Sequence, residues 1–256
     1  MRPLLYSHRG ASIEQPENTM PSFRRAAEIG VDVFETDAHM TSDGHIVVSH
    51  DADGGRMCGV PREIRRCTLA EVQRWDAGHG FVDAGGARPF AGKGYRIPTL
   101  AELAEEFPDT PLNIDLKQPE PSMVQPAIDL LRRLGAEPRV TLASFHARTM
   151  RAVRKRGYRG PTAFALPEVL TLLAVPLALR RFKPVRGTAV QVPPRSSGVN
   201  FASRWFIRKC HMLGLRVDYW TINDAAEAER LLDLGADGIM TDDPAALAPV
   251  FARRYG

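Results

Sequence analysis

No stretch of the 256 residues is apolar for long: the most hydrophobic run, residues 163–179, is broken by Pro167, Glu168 and Pro176. That falls short of the roughly 20 apolar residues a membrane-spanning helix needs. Cysteine is scarce, with only Cys58, Cys67 and Cys210. Three thiols without metal-type spacing exclude a zinc module and argue against a disulfide framework, leaving a Cys58–Cys67 bridge as the minor alternative. A reduced cytoplasmic setting is therefore expected, and the N-terminus enters an apparent strand without a signal-peptide core. No Gly-x-Gly-x-x-Gly follows the first apolar run, which argues against a dinucleotide-binding sheet. A formal charge of +4 suits an anionic substrate, but the basic residues are scattered except at residues 151–156 and 180–183, so no nucleic-acid partner is expected.

With 44% hydrophobic and 25% charged residues, the chain has the composition of an ordinary globular protein. Its most informative stretch is residues 31–38, Val-Asp-Val-Phe-Glu-Thr-Asp-Ala. This is a buried strand whose period of two puts Glu35 and Asp37 on one face. Two neighbouring carboxylates resist burial unless a cation or basic group sits between them. The pair therefore reads as half of a divalent-metal site.

Short apolar runs alternate with amphipathic segments along most of the chain. Strands are predicted to begin at Leu4, Val33, Leu112, Val140, Thr162, Thr188, Arg216 and Gly238, with helices between them. A hairpin-like return after the second strand delivers His50 and Asp51 near a strand end. Residues 52–97 break the alternation and read as an insertion. Eight βα units in about 250 residues predict one TIM (β/α)₈ barrel domain over residues 1–256, with that insertion after the second strand region.

A barrel of this kind places its active site at the strand C-terminal ends, and those ends here are polar. Glu35, Asp37 and Asp115 are hard oxygen donors suited to Mg²⁺ or Ca²⁺. Arg9 and Lys117 supply positive charge for a phosphoryl group, and His8 and His50 can serve as acid and base. This set describes phosphodiester cleavage.

The sequence resembles the glycerophosphodiester phosphodiesterase family. The matching stretches are Ser7-His-Arg-Gly10, Pro16-Glu-Asn-Thr19, Phe34-Glu-Thr-Asp37, Val47-Val-Ser-His-Asp51, Asn113-Ile-Asp-Leu-Lys117, Tyr219-Trp-Thr-Ile-Asn223 and Gly238-Ile-Met-Thr-Asp-Asp-Pro244. The resemblance implies a TIM barrel with a small insertion, a metal held by Glu35, Asp37 and Asp115, and His8 with His50 as the general acid/base pair. It implies further that Trp220 walls the glycerol or head group. The family's third carboxylate is usually a glutamate, so Asp115, one methylene shorter, is a departure that bears on metal preference. Asn18 is expected to brace the first loop by hydrogen bonding, and Glu17 is a weaker candidate for contacting a substrate hydroxyl.

The implied reaction is metal-dependent hydrolysis of a glycerophosphodiester to sn-glycerol 3-phosphate and an alcohol. One alternative is lysophospholipase D activity on a lysophospholipid, with residues 163–179 adding an apolar wall or a weak peripheral membrane contact. Another is a catalytically silent barrel that only binds phosphodiesters.

Overall fold

A computed structural model describes residues 2–174, 187–196 and 198–256. Strand β1 (Leu4–His8) leads into helix α1 (Met20–Ile29), which is capped by extended Thr19 and ends at Gly30. Gly30 takes a φ of 85°, the left-handed stop that glycine adopts without a Cβ penalty. Strand β2 (Val33–Met40) then doubles back through β3 (Ile46–Val48), pairing antiparallel with Ala38 opposite Val48.

The insertion contains β4 (Asp53–Gly54), α2 (Gly55–Cys58), β5 (Val60–Glu63) and α3 (Leu69–Val72). It builds a small core of its own from Val47, Cys58, Ile64, Cys67, Val72, Trp75, Ala77 and Ile97. Burying such side chains contributes roughly 1.5–3 kcal/mol each for the larger ones. That explains why a Gly- and Arg-rich stretch still folds.

The alternation resumes with α4 (Leu100–Glu106), β6 (Leu112–Leu116), α5 (Val124–Arg133), β7 (Val140–Ala143), α6 (Ala147–Lys155) and α7 (Leu166–Ala174). After β8 (Ala189–Val192) come the short hairpin β9 (Arg195–Ser196) and β10 (Val199–Asn200), then α8 (Arg204–His211). The chain closes with β11 (Arg216–Tyr219), α9 (Ala225–Leu234), β12 (Gly238–Thr241) and α10 (Pro244–Tyr255).

The parallel strands run in the order β7, β6, β2, β1, β12, β11, β8. Thr162 bridges to Leu142 and Ala163 bridges to Ala189, both in parallel, which joins the two outer strands and closes a TIM barrel. The fifth strand, predicted over residues 162–166, is thus reduced to two residues. Pro161 precedes it and α7 already starts at Leu166, leaving no length for a ladder. Of the apolar run at residues 163–179, the part beyond Ala174, and with it the basic residues 180–183, lies outside the described residues.

Two apolar clusters fill the layer between helices and strands, one around Phe23, Phe34, Leu112 and Leu142, the other around Val190, Phe206, Val217 and Ile239. Inside the barrel floor, fully buried Asp218 accepts hydrogen bonds from Tyr6 Oη at 3.2 Å and Arg216 Nη2 at 3.0 Å. Burial raises the Tyr6 hydroxyl far above its ordinary value, with the Asp218 charge adding to it. A Cβ at Gly238 would lie 2.5 Å from Asp218 Oδ1, so only glycine fits against this polar floor. All three cysteines are buried and free. Among the described residues, no helix is long and apolar enough to cross a membrane.

Candidate active site

Strand register brings the acidic residues together. His8 lies beside Glu35, Glu35 beside Asn113, and Asp37 beside Asp115. Adjacent like charges on one sheet face repel, so the site must supply compensation. Lys117 does so: its Nζ sits 3.0 Å from Asp37 Oδ1 and 2.7 Å from Asp115 Oδ2. The ammonium that the sequence suggested for a phosphate thus bridges two of the carboxylates suggested for a metal.

Asp37 is the best supported of the three. Arg9 Nε lies 3.2 Å from its Oδ2, and Asn18 Nδ2 donates to the same oxygen at 3.3 Å. Thr36 Oγ1 donates to Asn18 Oδ1 at 2.8 Å and so fixes which way the amide points. Asn18 therefore braces Asp37 directly, beyond the loop support expected of it. Burial pushes the Asp37 carboxyl up, but Lys117, Arg9 and His50 outweigh it and hold it below the usual range. Glu35 is different: burial pushes it up to about 8, against the pull of His8 and helped by Asp37 and Asp115. Asp115 is also raised by burial, Lys117 offsetting only part of it.

Both histidines are held by carboxylates. His8 Nδ1 is 2.6 Å from Asp242 Oδ1, and His50 Nδ1 is 2.8 Å from Asp51 Oδ1. Each pairing fixes the ring and leaves Nε2 as the nitrogen available to a ligand. Burial works against charging His8, yet Glu35, whose Oε2 is 3.8 Å from His8 Nε2, and Asp242 together keep the imidazolium favoured. Asp242 is anchored in turn by Ser12 Oγ and by Asn223 Nδ2 at 2.9 Å. Asp51 accepts from Arg56 Nε at 2.6 Å, and Arg56 Nη2 reaches Glu17 Oε1 at 2.7 Å. Glu17, the weaker candidate for a substrate hydroxyl contact, spans Arg56 and Arg9, whose Nη1 is 3.3 Å away.

The first loop bends sharply to build this arrangement. Arg9 and Asn18 have φ of 61° and 56°, conformations that cost a side-chain-bearing residue on the order of 1 kcal/mol or more. Gly10 makes the bend sterically feasible, since a Cβ there would collide with Ser22 Oγ. Strain concentrated at Arg9 and Asn18 belongs to positioning the groups around Asp37.

A cavity of about 230 Å³ opens over the site, lined on its polar side by His8, Arg9, Glu35, Asp37, His50, Asp115 and Lys117. Its other side is apolar, with Phe145, Phe164, Leu166, Val169, Phe201 and Trp220. Trp220 meets Phe145 edge-on at 5.8 Å and lines this side of the cavity.

A model of the glycerophosphoryl diester phosphodiesterase family matches residues 8–246. The chain belongs to that family. As a member it is an enzyme, a phosphoric diester hydrolase. Among its curated relatives, "Lysophospholipase D GDPD1" of Homo sapiens is 31% identical over 94% of this chain and 83% of its own length. A "Glycerophosphodiester phosphodiesterase" of Caldanaerobacter subterraneus subsp. tengcongensis is also 31% identical, over 96% of this chain and 97% of its own. A solved structure of a putative family member from Silicibacter pomeroyi superposes with a TM-score of 0.81 at 26% identity, covering 98% of this chain and 94% of that one.

Among the described residues, no three His, Cys, Asp or Glu side chains form a ready cation cage. The donor chemistry nevertheless fits a hard divalent ion. Glu35 Oε2 and Asp115 Oδ1 are buried with no hydrogen-bond partner, and buried carboxylate oxygens are seldom left so. Asp242, Asp51 and Arg56 carry no role in the sequence reading. For the two aspartates the signal was adjacency: Asp51 follows His50, and Asp242 follows the last barrel strand.

Proposed function

We propose that the protein hydrolyses glycerophosphodiesters to sn-glycerol 3-phosphate and an alcohol, using a divalent cation, Mg²⁺ or Ca²⁺, and a pair of histidines. The observation that carries this reading is the pair of carboxylate-held imidazoles, His8–Asp242 and His50–Asp51, lining one cavity with Arg9 and Lys117.

Glu35, Asp37 and Asp115 would hold the cation. When bound, it supplies Lewis-acid polarisation of the phosphoryl oxygens and acidifies a nearby hydroxyl. Arg9 and Lys117 lie beside these carboxylates and place positive charge where a phosphodiester anion enters. One imidazole Nε2 takes the proton of the attacking hydroxyl as its oxygen bonds to phosphorus; attack by water gives sn-glycerol 3-phosphate directly, whereas attack by the substrate's own glycerol hydroxyl gives a cyclic phosphodiester that a second attack, by water, opens to the same product. The other gives a proton to the departing alkoxide as its P–O bond breaks. Asp242 and Asp51 keep both rings in the orientation that exposes Nε2, and Trp220 walls the cavity beside the head group.

Choline release from glycerophosphocholine, with Mg²⁺, Ca²⁺ or chelator, tests the reading. Chelator-sensitive turnover is expected. His8→Ala and His50→Ala should each lower kcat by a factor on the order of 10² to 10⁴ with the fold intact. Full activity in either variant would sink the assignment.

A second reading, lysophospholipase D activity, is favoured by the apolar half of the cavity, where Phe145, Leu166, Val169 and Phe201 could take an acyl chain. Lysophosphatidylcholine assayed beside glycerophosphocholine separates the two readings.

A further inference from the structure

Charge is divided unevenly along the chain. Residues 145–213 contain fourteen Lys and Arg and a single acid, Glu168, whereas the rest holds twenty Lys and Arg against twenty-nine Asp and Glu. A chain of formal charge +4 therefore joins a strongly positive segment to a negative remainder. The one acid is already engaged, its Oε1 lying 2.5 Å from Arg154 Nη1. Among the described residues, exposed Arg148, Arg151, Arg195, Arg204 and Arg208 have no carboxylate within ion-pair distance, so most of this positive charge is left without a paired acid.

The same segment exposes most of the large apolar side chains. Phe145 is 55% exposed, Leu166 47%, Leu170 46%, Trp205 61% and Met212 66%; among the described residues only Ile13 and Val82 elsewhere compare. Four of them, Phe145, Leu166, Leu170 and Trp205, are linked in space. Phe145 and Leu166 stand at the rim of the cavity, and Leu170 follows Leu166 by one turn on the same face of α7. Lys209 Nζ then ties α7 to α8, donating to Leu173 O at 2.9 Å while lying 4.9 Å from the Trp205 ring centre. The apolar stripe thus runs from the cavity rim across α7 to Trp205, with Arg204 one residue before it and Arg208 one turn after it on the same helix.

We propose that this α6–α7–α8 face binds the surface of an anionic phospholipid bilayer. An exposed tryptophan and aliphatic side chains flanked by arginines match an interface whose outer layer is negative and whose next layer is hydrocarbon. A nucleic acid would satisfy the arginines and leave Leu166, Leu170 and Met212 in water. Binding here brings the cavity mouth to the lipid surface, because Phe145 and Leu166 belong to both. The attachment is a property of the surface and does not depend on which diester is turned over.

The test is co-sedimentation of the full chain with vesicles of phosphatidylcholine alone or mixed with phosphatidylglycerol, at low and at molar salt. Binding is expected only to the anionic vesicles, and it is lost as salt screens the attraction. Each cation near an anionic surface contributes about a fivefold change in partitioning. Arg204→Glu with Arg208→Glu should therefore lower it on the order of 10²-fold, and Trp205→Ala should weaken it without changing its salt dependence. Near-ultraviolet circular dichroism and thermal melting of the variants verify that the barrel is retained. Equal affinity for neutral vesicles, unchanged binding by the double variant, or duplex DNA bound in place of vesicles would overturn the proposal.

Discussion

Replacing Asp242 by Asn keeps the shape of the group that holds His8 and removes its charge. The 2.6 Å contact from His8 Nδ1 to Asp242 Oδ1 changes from a charge-assisted hydrogen bond to a neutral one. The first kind contributes roughly 1.5–3 kcal/mol and the second roughly 0.5–1.5. The imidazolium thus loses on the order of 1.4 kcal/mol, about one pH unit. Asp242 raises the His8 pKa, so its neutralisation lowers it, and one limb of the pH profile of kcat/KM moves about one unit toward acid. If His8 is the acid, the high-pH limb moves and activity is lost earlier on the alkaline side. If His8 is the base, the low-pH limb moves and activity extends further into acid. The new amide nitrogen of Asp242→Asn also faces the Asn223 Nδ2 donor, so about 1 kcal/mol of stability should go with the shift. A profile whose limbs both stay put in Asp242→Asn would refute the idea that this carboxylate tunes His8.

Arg56→Ala should lower kcat on the order of tenfold while leaving the melting temperature nearly unchanged, since Arg56 is half-exposed and acts by holding Asp51 and Glu17; steady-state kinetics beside a thermal melt checks this. With Glu35 held at about 8, Mg²⁺ or Ca²⁺ binding at neutral pH must expel a proton, so affinity should rise as pH approaches 8. Calorimetry in buffers of different ionisation enthalpy reads that proton directly. Gly238→Ala should destabilise the barrel by about 1–3 kcal/mol, because its methyl group would meet Asp218 Oδ1 at 2.5 Å and Tyr6 Cε2 at 2.6 Å while Asp218 is pinned by Arg216. A melt of the variant decides the point.

Periodicity carried most of the fold, because each strand buries alternate residues and each helix one face. Seven of the eight expected strands are present as ladders, from Leu4–His8 to Gly238–Thr241. The short fifth strand was over-extended because residues 162–166 are apolar whether they form a ladder or the entry to a helix. The site carboxylates could be placed from period two alone, since side chains two apart share a face. What each oxygen touches could not, because Lys117 reaches Asp37 from the end of the neighbouring strand and Arg56 reaches Asp51 and Glu17 from the insertion. Trp220 also needed three dimensions, as its partner Phe145 follows a different strand.

The two-residue fifth strand gives the barrel a seam. Closure there rests on a few backbone bonds, including Ala163 N to Leu142 O, Phe164 N to Ala189 O and Thr188 N to Thr162 O. If the seam parts, β7 and β8 become open edges able to accept a foreign strand. Local opening at this join should cost less than unfolding the long ladder between β2 and β6, so these amides are expected to exchange before those of that ladder. The seam also sets the natural cut in the chain: a circular permutant reopened near Gly160 would divide the ring at its thinnest point and keep the His8–Asp242 and Asp37–Asp115 contacts within one continuous arc of strands.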